Sequence, residues 1–158
     1  MTETETEHIE TPSEGGLEVS VLSWLDDLGY ETYGHDGGEG AQVLDERYDR
    51  DKNEVVYWNI LREKLVELND DVNEKSADDI ISSLRRDLSA DNLMDANRAF
   101  HETLKKGRKY TAPKEDGTTE TDYATLIDFE NPENNRFIAV NQFRVRDKAS
   151  IRPDINLF

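Results

Sequence analysis

The residues best suited to chemistry fall in a few short segments. Arg144, Arg146, Lys148 and Arg152 form a basic cluster late in a chain whose formal charge is −17, which makes this the segment suited to face a phosphate backbone. Local neutralisation of Asp147 and Asp154 accounts for the same cluster. Asp154 itself follows Pro153 and precedes the alternating Ile155, Leu157 and Phe158. An acid after proline is a common turn cap. Glu14 and Glu18 are four residues apart at the start of an expected helix, so both project from one face, where the helix dipole also favours carboxylates. His8, His35 and His101 are scattered, and with no cysteine in the chain they supply no metal-ligand spacing. The stretch from Asp45 to Asp51 alternates acids as a calcium loop does, but it lacks the central glycine and closing glutamate, and reads as a solvated linker.

Helices must position the first of these acids and strands the last. Residues 1–12 carry Thr and Glu without apolar periodicity and read as a disordered acidic tail, leaving 13–158 as one domain. Leu17, Val21, Leu25 and Leu28, flanked by Trp24, form a helical stripe that Gly29 stops. Tyr30 to Tyr33 is a short extended piece, followed by a Gly-rich loop to Gly40. Further helices are expected over about Asn53–Leu68, from Ser76 as a cap through Leu88, and over about Asp91–Lys106, where Gly107 ends the last. After Gly107 the period changes to two. Lys109–Pro113 is a possible strand, Tyr123–Phe129 and Arg136–Val145 are expected to pair antiparallel, and Asp154–Phe158 forms another strand. Asn141-Gln142 lies on a central strand, where amides most often bond neighbouring backbone. The predicted class is α+β, with helices packed on a mainly antiparallel sheet.

Composition narrows the setting. With no cysteines, disulfides and thiolate chemistry are excluded, and a reducing cytoplasm is the expected compartment. No apolar run approaches the roughly 18 residues that a membrane span needs. Acidic residues number 36 against 19 basic, and Arg (11) outnumbers Lys (8). Dispersed acid with few lysines resembles the surfaces of halophilic proteins, where molar salt screens repulsion. An ordinary acidic protein, or an acidic mimic of DNA, has the same balance.

Several segments, taken in order, carry a resemblance. They are Ser13 to Glu18 running to Leu28-Gly29-Tyr30-Glu31; Leu61 to Asn69; Asn97 to Gly107; Leu126 to Asn135; Phe137-Ile138-Ala139-Val140-Asn141-Gln142-Phe143; and Arg152-Pro153-Asp154-Ile155-Asn156-Leu157-Phe158. Together these resemble the N-terminal nuclease domain of the R subunit of type I restriction enzymes, a restriction-endonuclease-like (PD-(D/E)xK) core.

The resemblance implies a Mg²⁺-dependent deoxyribonuclease that acts on double-stranded DNA. It implies ATP-driven motor domains in the intact subunit, and modification and specificity subunits as partners. In that family a strand Asp, a Glu-x-Lys on the next strand and a Glu from the first helix form the site. Asp154 matches the strand Asp; Glu14 and Glu18 are both candidates for the helix acid; Arg144, Arg146 and Arg152 are candidates for DNA contact. No Glu-x-Lys follows Asp154 in this chain, so the domain reads as incomplete and catalytically inactive alone. The expected geometry packs the first helix across the sheet through Leu17, Val21, Trp24, Leu25 and Leu28. That would bring Glu14 or Glu18 to the end where Asp154 emerges. The alternative is a non-catalytic acidic interaction protein or DNA mimic.

Overall fold

Helices precede most of the strands in the computed structural model, which describes residues 14–89, 92–114, 116–146 and 150–158, with the backbone alone for Glu14, Leu93 and Pro113. The expected tail, Asp147 and Lys148 lie outside the described residues. The chain is α+β, and it groups into two compact units: residues up to Leu44 with Phe137–Phe158, and Asp45–Arg136.

In the unit Asp45–Arg136, α3 (Trp58–Leu68), α4 (Glu74–Leu88) and α5 (Leu93–Lys106) surround one core. Helix α4 buries Ala77, Ile80, Ile81 and Leu84, a spacing that lays one face against Trp58, Leu65, Ala124 and Leu126. The Arg85 guanidinium lies 5.0 Å over the Trp58 ring. The cap of α4 is Asn73, which accepts the Ser76 N–H at 2.9 Å; Ser76, expected as the cap, is buried in the first turn. Helix α5 is capped by Asn92 and stops at Gly107, whose φ of +81° suits glycine alone among residues without strain.

The strand pairing expected between Tyr123–Phe129 and Arg136–Val145 does not form. Strand β2 (Arg108–Pro113) pairs antiparallel with β3 (Thr119–Ala124), from Arg108↔Ala124 to Pro113↔Thr119. Beyond Ala124 short polar side chains satisfy the backbone locally, so no ladder is required. The Asp128 carboxylate accepts the N–H groups of Glu130 and Asn131 at 3.0 and 2.9 Å and the Asn134 amide at 2.8 Å, while Asn135 accepts the Asp128 N–H at 2.8 Å. These donors, the Asn131 N–H first, hold the Asp128 carboxyl below its ordinary range.

The stretch Asp45–Asp51 is no solvated linker. The Arg50 side chain is 0% exposed and its Nε and Nη2 donate to the two Asp45 oxygens at 2.6 and 2.8 Å. Tyr57 donates its hydroxyl to Asp45 Oδ1 at 2.8 Å and presents its ring 5.3 Å from the guanidinium. Burial, followed by the bond to Asp45, pushes the Tyr57 hydroxyl well above its ordinary pKa. Burial opposes the Arg50 charge, but the bonds and charge of Asp45 outweigh it and leave Arg50 raised. With residues 51–57 in turns around this network, α3 begins at Trp58 rather than near Asn53.

The other unit holds α1 (Glu14–Asp27), β1 (Glu31–Tyr33) and the start of α2 (Gly40–Tyr48). It also holds β4 (Ile138–Asn141), β5 (Val145–Arg146), β6 (Ser150–Ile151) and β7 (Ile155–Leu157). Its sheet has the order β1-β4-β7 and is mixed: β1 runs parallel to β4 with Glu31↔Ile138, and β4 antiparallel to β7 with Asn141↔Ile155. A separate antiparallel pair joins β5 to β6. All four residues of β4 are buried.

Helix α1 contacts β1 and β4, but not by the expected stripe. Leu22 is fully buried, Val21 and Leu25 are half-buried, and Leu17, Trp24 and Leu28 are exposed, Trp24 by 65%. Apolar residues occur on nearly every side of this helix, so spacing alone does not choose the inward face. The polar partners of Glu18, one turn before Leu22, select it.

Candidate functional site

The apolar run of strand β4 ends in a buried Asn141, with a half-buried Gln142 just past the strand. Asn141 is 3% exposed, and its carboxamide makes bonds at both ends: Oδ1 accepts the Gly40 N–H at 2.7 Å, while Nδ2 donates to the Gly38 carbonyl at 3.0 Å and to Glu18 Oε2 at 3.2 Å. Gln142 donates Nε2 to Glu18 Oε1 at 2.8 Å. Its main-chain N–H donates to the Asp154 carbonyl at 3.0 Å, continuing the β4–β7 ladder by one residue. Gln142 has φ +59°, a left-handed backbone that residues other than glycine seldom adopt.

Gly34 makes room for the amide, and Gly40 for the Tyr33 backbone beside it. A Cβ on Gly34 would sit 2.0 Å from Asn141 Oδ1, and one on Gly40 would sit 2.1 Å from the Tyr33 carbonyl oxygen. An open cleft of about 260 Å³ beside them is lined by Thr32, Tyr33, His35, Asp36 and Glu39. His35 Nδ1 lies 3.0 Å from Thr32 Oγ1.

The expected acids are thus distributed unevenly. Glu18 is half-buried against Asn141 and Gln142, and Asp154 is exposed at the entry to β7, both tied to Gln142. Glu14 is the first residue of α1, one turn before Glu18, and its side chain lies outside the described residues. Arg144 is half-buried, Arg146 is exposed on β5, and Arg152 is exposed with Nη1 3.9 Å from Glu39 Oε1. Among the described residues no three His, Cys, Asp or Glu side chains gather as a metal cluster. Among the described residues strand β7 pairs with β4 alone and is an edge strand of its sheet.

Spacing did not reveal the role of the two amides. Asn141 does bond neighbouring backbone, as expected, but it also shares the Glu18 carboxylate with Gln142. An Asn-Gln pair closing the apolar run Ile138-Ala139-Val140 is the signal that marks it. Helix α2 was missed too, although Ala41, Leu44 and Tyr48, all buried, repeat at helical spacing.

Comparison with known proteins gives a consistent picture. Residues 11–158 match the family described as the type I restriction enzyme R protein N terminus. The chain is 32% identical over 149 residues to the type I restriction enzyme HindI endonuclease subunit of Haemophilus influenzae. That alignment covers 90% of this chain and 13% of the relative, so the chain spans about an eighth of that protein's length. No helix among the described residues is long and apolar enough to cross a membrane.

Proposed function

The chain belongs to the type I restriction enzyme R protein N-terminal family, and from that premise we propose that it forms part of a restriction-endonuclease-like nuclease domain that cleaves double-stranded DNA. In this reading Asp154 and Glu18 are the metal-site acids, and Glu14 is the second helix candidate. Arg144, Arg146 and Arg152 face the DNA phosphates, with Arg152 available because its contact with Glu39 is long and exposed. The motor, driven by ATP, and the modification and specificity subunits belong to the rest of the assembly.

One observation carries the reading. Glu18 and Asp154 are 136 positions apart in the sequence, yet both bond the same residue, Gln142, one through its carboxylate and the other through its main-chain carbonyl. Carboxylates offer the oxygen donors that Mg²⁺ takes, and that ion commonly binds through one or two of them while keeping several waters. The donor chemistry of Glu18 and Asp154 therefore fits Mg²⁺. When bound, the ion would polarise the scissile phosphate and lower the pKa of a coordinated water. The chain's own part is to fix Glu18, to present Asp154 at the exposed edge of the sheet and to neutralise phosphate charge with arginines.

The test separates nuclease from motor. In the assembled enzyme carrying this domain, Asp154→Ala is expected to abolish cleavage of circular plasmid while ATP hydrolysis continues. Cleavage that persists would refute the assignment.

A further inference from the structure

Consecutive residues of a β-strand point to opposite faces of the sheet. Asn141 and Gln142 do not: their amides reach the two oxygens of a single carboxylate, Glu18 Oε2 at 3.2 Å and Oε1 at 2.8 Å. What breaks the alternation is the φ of +59° at Gln142, which turns its side chain to the side already taken by Asn141. That conformation is disfavoured for glutamine, and it persists where surrounding structure over-determines it. Here it is fixed from three directions. The Gln142 N–H holds Asp154, its amide holds Glu18, and Asn141 is anchored to Gly38 and Gly40.

The chemistry of the clamp is informative. A lysine or arginine beside Glu18 would neutralise it and compete with a cation. Two neutral amides orient the carboxylate and leave its full charge, and each oxygen keeps a second lone pair for another partner. Glycine at 34 lets the backbone approach the Asn141 amide, and glycine at 40 lets the segment that donates to Asn141 Oδ1 pack against Tyr33.

We infer that Asn141 and Gln142 are positioning residues that hold Glu18 as a charged, pre-oriented ligand beside the Asp154 main chain, with Gln142 coupling the two acids. This rests on the proposed reading of Glu18 and Asp154 as metal-site acids. It assigns to the Asn-Gln pair a role separate from sheet formation: setting the affinity for the divalent cation.

The experiment uses the 158-residue chain and Mn²⁺ alone, titrated by electron paramagnetic resonance in molar KCl. Gln142→Gly keeps a residue that accepts positive φ, and so keeps the ladder bond to Asp154, while removing the amide. Gln142→Asn also tolerates that backbone and falls one methylene short of Glu18. Both are expected to weaken Mn²⁺ binding about tenfold, with a melting midpoint close to the parent's in metal-free buffer. In a Glu18→Gln background the Gln142→Gly change should have no further effect. If Glu18→Gln weakens binding and the two Gln142 variants do not, the positioning role is overturned and the metal-site reading stands. An equal loss from Gln142→Gly with or without the Glu18 carboxylate also overturns it, since the residue would then act through something else. If Glu18→Gln leaves binding unchanged, or the parent chain binds no Mn²⁺ saturably, the metal-site reading itself fails and the inference with it.

Discussion

Replacing Asp45 by alanine removes the carboxylate that two nitrogens of a fully buried Arg50 bind at 2.6 and 2.8 Å. The cost is not the worth of an ion pair but that of leaving a guanidinium charge in a poorly solvated site, about 3–5 kcal/mol for a broken buried pair. The Tyr57 hydroxyl loses its acceptor at the same time. In a chain of this size each kcal/mol lowers the melting midpoint by roughly 2–4 °C, so the expected fall is about 6–20 °C. Circular dichroism melts in molar KCl measure it. A second variant fixes the interpretation: Asp45→Leu combined with Arg50→Met removes both charges, and is expected to recover much of the loss because no charge remains buried. An Asp45→Ala midpoint within about 2 °C of the parent, corresponding to about 1 kcal/mol or less, would refute the argument. So would a double variant less stable than the single one.

Three further outcomes are expected. The Tyr57 hydroxyl is raised in the folded chain by burial and by its bond to Asp45, so its contribution is complete below the unfolded value of about 10 and is lost as pH rises above it, by up to about 1.4 kcal/mol per unit. The free energy of unfolding should therefore fall more steeply with alkaline pH in the parent than in Tyr57→Phe, and parallel curves would contradict this. Gly34→Ala drives a Cβ into Asn141 Oδ1 and imposes a φ of +98° on alanine; a loss of about 1–3 kcal/mol is expected in denaturant melts, against little change for Gly15→Ala, where nothing lies within 4 Å. A formal charge of −17 repels itself in dilute buffer, where the screening length is about 10 Å at 0.1 M against 3 Å at 1 M, so the melting midpoint should climb with KCl; equal midpoints would sink the halophilic reading.

What the sequence made legible was local. Helices α4 and α5 were readable because Ile80 and Leu84 repeat at helical spacing and Gly107 ends the run, and β7 because Ile155 and Leu157 alternate. Helix α1 was readable as a helix but not in its facing, since Leu17, Leu22, Trp24 and Leu28 leave no plainly polar side, and a hydrogen bond from Gln142 to Glu18 decides. The parallel pairing of β1 with β4 joins Glu31 to Ile138, and no short-range pattern encodes a partner so distant. Asp45 and Arg50 looked solvated because a buried ion pair and an exposed one have the same letters; only the position of Tyr57 distinguishes them. Glu18 and Asp154 were singled out as candidates through resemblance. The left-handed turn at Gln142, which joins them, is a backbone property that glutamine does not advertise.

The chain has two tryptophans, and the fold gives one to each compact unit. Trp58 is 8% exposed in the core of the helical unit, under the Arg85 guanidinium, whereas Trp24 stands in solvent on α1. Their emission should therefore separate, the buried indole blue-shifted and sheltered from acrylamide, the exposed one red-shifted and readily quenched. A Trp24→Phe variant leaves a fluorophore that reports the Asp45–Arg136 unit alone, and a Trp58→Phe variant reports the surface of α1. Stability need not be uniform across such a chain. The pair of single-tryptophan proteins turns that into an optical measurement, in which the two units can be watched melting together or in sequence.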